Sequence, residues 1–232
     1  MPARLSVFKL ARRAIALGTL LAIVAIARYP GGTMLDHSTS GYSFFHNFLS
    51  DLGMTIAHDG KPNALGSTLF ISSLCLLVIG GGGCLVGFVR LYSESPRSRT
   101  FARIAGVIGL VVCASFIGVA VTPENRMLGL HVQFTLFAFR VFPAVTLFLV
   151  FATLASDVFP RRVAVVWGLL TVALAAYVVI LTWGPGLTTP EGLVTQVTAQ
   201  KIIAIVSIGT FVYLSFDAEN RHFAIAISSQ QV

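Results

Sequence analysis

The stretch Ala64–Val89, ALGSTLFISSLCLLVIGGGGCLVGFV, decides the fold. Its 26 residues carry no charge, and as a helix they rise ~39 Å, enough to cross a hydrocarbon core ~30 Å thick. The rest of the chain is written in the same manner. Of 232 residues, 56% are hydrophobic and only 11% charged, with a mean hydropathy of +0.85, far from the quarter-charged composition of soluble domains. Apolar runs recur at about 11–28, 64–89, 102–121, 128–154, 163–183 and 199–216. They predict an all-α polytopic membrane protein, a single integral membrane domain over residues 1–232 with six transmembrane helices in a bundle.

The first run has a rival reading. Arg4, Lys9, Arg12 and Arg13 precede a short apolar core, Ala14–Ala27, which is also the pattern of a secretory signal. Leu10, Ala11 and the snorkelling stems of Arg12, Arg13 and Arg28 extend the match to a bilayer, so an uncleaved span is expected. Within the second run, Gly80–Gly83 looks like a phosphate loop only superficially. No strand precedes it and no Lys-Ser/Thr follows, so the glycines point to close helix packing. Cys75, Cys84 and Cys113 all lie in apolar stretches without a CxxC pair and read as packing residues.

Basic residues outnumber acidic ones 16 to 9, but they sort by loop and give no nucleic-acid patch. Alternate compartments hold 11 on the side of the termini and 4 on the other, leaving Arg140 within a span. The positive-inside rule then predicts a plasma-membrane protein with both termini cytoplasmic and the long connection Arg28–Asn63 outside. Such a connection is too long for a plain turn and is expected to hold an element of its own.

That element is placed at Tyr42–Gly53, YSFFHNFLSDLG. On a helix Phe45, Phe48, Leu49 and Leu52 share one face, and His46, Asn47, Ser50 and Asp51 the other. Ser43 as N-cap and Gly53 as the residue beyond its end predict an extracytoplasmic amphipathic or re-entrant helix of about ten residues. A carboxylate beside an imidazole orients a general base, so His46 and Asp51 are catalytic candidates, with Ser50 one turn away as a nucleophile or contact. Caps on an interfacial helix would use the same residues. His131 opens the fourth span just after Glu124 and joins the catalytic candidates; with His46 and Asp51 it offers nitrogen and oxygen donors suited to zinc or a similar divalent cation. No HxxxH or HExxH spacing supports that metal, and no dinucleotide fingerprint, Walker motif or facing haem histidines call for a cofactor.

Arg140 lies near the middle of the fourth span, with Gln133 on the same face. A charge at that depth demands a partner, whether the Phe139 carbonyl freed by Pro143, another side chain or an anionic ligand. Asn47, Ser50, Glu124, Gln133, Arg140 and Lys201 are the ligand-binding candidates.

Asn47-Phe48-Leu49-Ser50-Asp51-Leu52-Gly53 before the second span, Thr122-Pro123-Glu124 with Leu130-His131 opening the fourth, and Gly192 with Gln200-Lys201 before the last resemble the prokaryotic six-helix membrane family known as domain of unknown function 998. They more remotely resemble the DRAM-type membrane proteins. The resemblance implies a six-helix bundle and no particular activity. Two functions are carried forward: an outward-facing polar pocket that binds or modifies a membrane lipid or other amphipathic ligand, and a small transporter or non-enzymatic partner of another membrane protein.

Overall fold

The structure is a computed structural model that describes residues 2–92 and 94–228, with side chains described for 7–92 and 94–220. Arg4 and Arg221, counted above with the basic residues, lie outside the described side chains. The described residues form six α-helices: α1 (Pro2–Arg28), α2 (Ala64–Leu91), α3 (Pro96–Val121), α4 (Glu124–Leu154), α5 (Arg161–Trp183) and α6 (Pro190–Ser228). Each contains a segment long and apolar enough to cross a membrane. The protein is therefore a six-span integral membrane protein. Consecutive helices pack on one another, and α6 returns to α1.

Helix starts come earlier than hydropathy alone places them. Ser95 accepts a hydrogen bond from Ser98 N on its Oγ, at 3.1 Å, and Pro96 fits the first turn, so α3 begins before its apolar run does. Likewise α6 starts at Pro190, and its first turns carry Gln196 and Gln200 alongside the fully buried Leu193 and Val197. In α4, Met127 departs from helical geometry (φ −137°, ψ 43°), so the turn bearing Glu124 and Asn125 is set apart from the span below it.

Close backbone approach joins α1 to α2. A Cβ on Gly80 would stand 2.8 Å from the Ala11 carbonyl oxygen and 2.5 Å from Ile15 Cγ1, while Ser73 Oγ donates to Gly18 O at 2.7 Å. Small residues thus do the packing that a larger side chain would prevent. Deeper in the bundle Phe8, Phe88, Trp167 and Phe211 form a ladder of rings across α1, α2, α5 and α6, with successive centroids 5.2, 5.2 and 5.3 Å apart. Between α2, α3, α4 and α6 an apolar hollow of about 180 Å³ remains, lined by Leu77, Val112, Phe116, Phe142, Ala204 and Phe211 among others.

The connection 29–63 folds over one end of the bundle, called here the capped end; the start of α1 and the end of α6 belong to the opposite one. Residues 42–53 do not form the expected ten-residue amphipathic helix. Asn47 N and His46 N both donate to Ser43 O, closing a turn, and only Leu49–Gly53 winds into a short 3-10 helix. The reason is local competition. Asn47 Oδ1 accepts from Ser43 N at 2.9 Å, closing the upstream turn, and Asp51 Oδ2 takes from Phe48 N, at 3.1 Å, the donor that a continuous helix would send to the Phe44 carbonyl. The polarity is inverted as well: Asn47 and Asp51 are 0% and 1% exposed, whereas Phe44 and Phe45 are 49% and 53% exposed.

Candidate functional site

The capped end is stitched to three helices. Asn63 Nδ2 donates to Leu52 O and Met54 O, and Ser67 Oγ to Gly53 O, tying the 3-10 helix to the start of α2. Leu49 N donates to Gln200 Oε1 of α6 at 2.8 Å. Ser50 Oγ reaches Glu124 Oε2 of α4 at 3.5 Å, and Thr55 N donates to Asn125 Oδ1 at 3.0 Å. Further out, Gly32 adopts φ 78° and lies so close to Asp59 N that a Cβ would be 2.3 Å away, a close approach that glycine alone makes without strain.

Asp51 sits at the centre of this cap. Its Oδ2 receives Asn47 Nδ2 at 2.8 Å and Phe48 N at 3.1 Å, and His58 Nε2 stands 3.4 Å away. Its Oδ1 is buried and has no hydrogen-bond partner among the described residues. A carboxylate with one oxygen crowded and the other bare is an unusual buried arrangement, because buried polar atoms are normally satisfied. The Asp51 carboxylate holds the His58 imidazole above its ordinary value of 6.5, against the opposing effect of burial. Tyr29 and Tyr42 flank the group, their rings edge to face at 5.9 Å, and burial pushes both phenols well above 10.

Lys201 reaches the same cluster from below. It is 2% exposed, and Nζ donates to Asn47 O at 2.5 Å, an oxygen that also accepts from Tyr42 OH at 3.0 Å. The ammonium lies 5.4 and 5.2 Å from the ring centres of Tyr42 and Phe44, within cation–π range. Lys201, Ala204, Ile208 and Phe211 fall at i, i+3, i+7 and i+10 on one face of α6, and the last three line the apolar hollow. The cation and the hollow are consecutive along one helix face.

Of the residues singled out from sequence, Asn47, Asp51 and Lys201 are joined directly by hydrogen bonds, and Ser50 and Glu124 meet beside them. His131 is buried, with Nδ1 2.7 Å from Thr122 O. A carbonyl only accepts, so Nδ1 carries the proton and the ring satisfies the end of α3; Asp51 is within electrostatic range of it. His46 does not join the cluster: it is exposed and pairs with Ser43 Oγ at 2.9 Å. Gln133 and Arg140 lie elsewhere, on the exposed α3–α4 face within the span.

His58, Gln200, Asn63 and the two tyrosines are the residues that sequence reasoning left out of the site. His58 follows the Ile56 that bridges back to Pro62, so its approach to Asp51 depends on a fold-back that no short spacing encodes. Asp51 and His58 are donors of the kind zinc takes, but among the described residues no group of three His, Cys, Asp or Glu is arranged to hold a metal. No protein-family model matches the chain, and neither a curated protein nor a solved structure matches it significantly.

Proposed function

We propose that this membrane protein binds a single amphipathic lipid, with its chain in the hollow between α2, α3, α4 and α6 and its anionic headgroup beneath the cap. The observation that carries this reading is the shared face of α6, where buried Lys201 stands directly above the apolar side chains of Ala204, Ile208 and Phe211. A buried ammonium supplies the charge for a phosphate or carboxylate, and the bare Asp51 Oδ1 supplies an acceptor for a headgroup hydroxyl. The cap lies on the extracytoplasmic side of the plasma membrane, as the distribution of basic residues indicates.

Modification of the bound headgroup would follow the same geometry. His58, held beside Asp51, is the base that would take a proton from a water or hydroxyl attacking a headgroup ester, and would return it to the alcohol oxygen as the ester bond breaks. His58→Gln would then abolish turnover while binding persists.

The test is a fluorescence titration of purified protein with a labelled anionic single-chain phospholipid and its zwitterionic counterpart. Saturable binding that favours the anionic probe, weakened at least ~10-fold by Lys201→Met, is expected. Absence of saturable binding, or equal affinity in the variant, would overturn the reading. A cysteine at exposed Ser40 should react with a membrane-impermeant maleimide added to intact cells; protection until lysis would reverse the orientation.

A further inference from the structure

Arg140 lies 16 residues from Glu124 and 14 from Leu154 in α4, ~24 and ~21 Å by helical rise, and hence close to mid-membrane. Its side chain is exposed on the lipid-facing side of the bundle, in a cleft between α3 and α4 shared with Ser115, Gln133, Phe134 and Phe137. It makes no hydrogen bond or ion pair with any described residue. The Phe139 carbonyl freed by Pro143 is therefore not its partner. From that depth even a fully extended guanidinium, with a reach of ~7 Å, remains inside a hydrocarbon core ~30 Å thick, so snorkelling does not bring it to a headgroup.

Charge at this depth faces a bundle interior, a water-filled cavity or an opposite charge. Arg140 does not face the bundle interior, and the cleft it lines opens onto the outer face of α3 and α4, which leaves the opposite charge. Gln133, two turns away and also exposed, extends the polar stripe along that face. By contrast Arg12, a largely buried guanidinium within the first span, is neutralised within the chain by Glu219.

A second copy of the chain has no counter-charge to offer. Glu124 and Glu191 open their spans, Asp217 and Glu219 close the last one, and the other five acids lie in the connections. A symmetric dimer through this cleft would place Arg140 against its own equivalent, which like-charge repulsion disfavours.

We infer that the α3–α4 cleft is the docking site for a transmembrane helix of a different membrane protein, one bearing an Asp or Glu near mid-membrane. The carboxylate pairs with Arg140, Gln133 supplies a second hydrogen bond, and Phe134 and Phe137 pack beside the helix. This interface is separate from the capped-end site and stands or falls independently of lipid binding there.

The experiment uses the full chain in nanodiscs and fluorescent Leu-rich transmembrane peptides that differ only in the central residue, Asp, Asn or Leu. Energy transfer should show association at least ~10-fold tighter for the Asp peptide than for the Leu peptide, with Asn between them. Arg140→Leu should erase the preference, and Arg140→Glu should transfer it to a central-Lys peptide. Equal binding of the Asp and Leu peptides to the unmodified protein overturns the inference without recourse to any variant. So does an Arg140-dependent anionic phospholipid, detected by native mass spectrometry, that excludes the peptide and assigns the cleft to lipid. An Arg140-dependent homodimer would overturn it equally, in favour of a second copy.

Discussion

The two ends of the bundle handle charge in opposite ways. At the end bearing the termini, Arg12 pairs with Glu219 and donates to Ser215 Oγ at 3.2 Å, Arg162 pairs with Asp217 at 2.8 Å, and Ser95 and Ser98 close onto backbone oxygens of α4 and its C-terminal turn. Lys9, Arg12 and Arg162 each have a counter-charge on a neighbouring helix there. At the capped end two donors bond one oxygen of Asp51, with the His58 imidazole 3.4 Å from it, while the other oxygen has no partner, and the nearby cation, Lys201, spends its hydrogen bond on a backbone carbonyl. Pairing of the first kind clasps helices together. The second kind leaves acceptor and donor capacity near an apolar hollow, and it is this capacity that the proposed lipid site would use.

The largest difference between the ends should come from removing their acids. Asp51→Asn places an amide where two donors and the His58 imidazole converge, and it should cost about 3 kcal/mol or more and expose the 29–63 connection to protease. Thermal unfolding with limited proteolysis measures both. At the other end, replacing Arg12 and Glu219 together by Met should cost less than 1 kcal/mol, because a buried pair exchanged for apolar side chains is often neutral. Cleavage of the connection in the Met pair but not in Asp51→Asn would break the contrast.

An intermediate effect is expected at Gln200, whose side chain accepts from Leu49 N. Gln200→Leu leaves that donor without its partner and should lower stability by about 1–2 kcal/mol, read from the same melting curves. A loss confined to lipid affinity, with no change in melting, would make Gln200 a ligand contact instead of a tether.

A smaller effect is the pH dependence of the cap. Because His58 titrates above 6.5 when folded, its pairing with Asp51 contributes fully below pH 6.5 and is lost as pH rises through the higher folded value. The melting temperature of the unmodified protein, relative to His58→Gln, should therefore rise by on the order of 2 °C from pH 8 to pH 6. The opposite slope would mean that His58 is neutral beside Asp51. Smallest of all is His46→Ala, expected to fall within about 0.5 kcal/mol since the residue is exposed and bonded only to Ser43.

Composition and uninterrupted apolar runs made the six spans legible because a bilayer imposes a length and a polarity on every helix that crosses it. Asp51 and Lys201 were legible for a related reason: polar groups bordering apolar sequence are expensive and stand out. The assignment of an imidazole to Asp51 was not. His46, five residues before it, invites a helical pairing, yet Asn47 and Asp51 bind their own backbone and break the helix that would have brought His46 round. The histidine that does arrive, His58, is carried there by the Ile56–Pro62 fold-back, a contact decided by tertiary packing. Arg140 was recognised from depth alone, but its orientation away from the bundle depends on how α3 and α4 meet, which periodicity in so uniformly apolar a helix does not reveal.

The attachment of the cap to α6 also orders events during synthesis. Residues 29–63 emerge between the first and second spans, but Leu49 and Asn47 find their partners in Gln200 and Lys201, 151 and 154 positions later in the chain. Until the sixth helix is threaded into the bilayer the lid has no latch on that side, and Asp51 keeps access to water. Closure of the lid on that side thus waits for the sixth helix, so a ribosome-stalled chain ending before residue 200 should expose the Asn47–Leu52 segment, whose Asn47, Asp51 and Leu52 the finished protein buries.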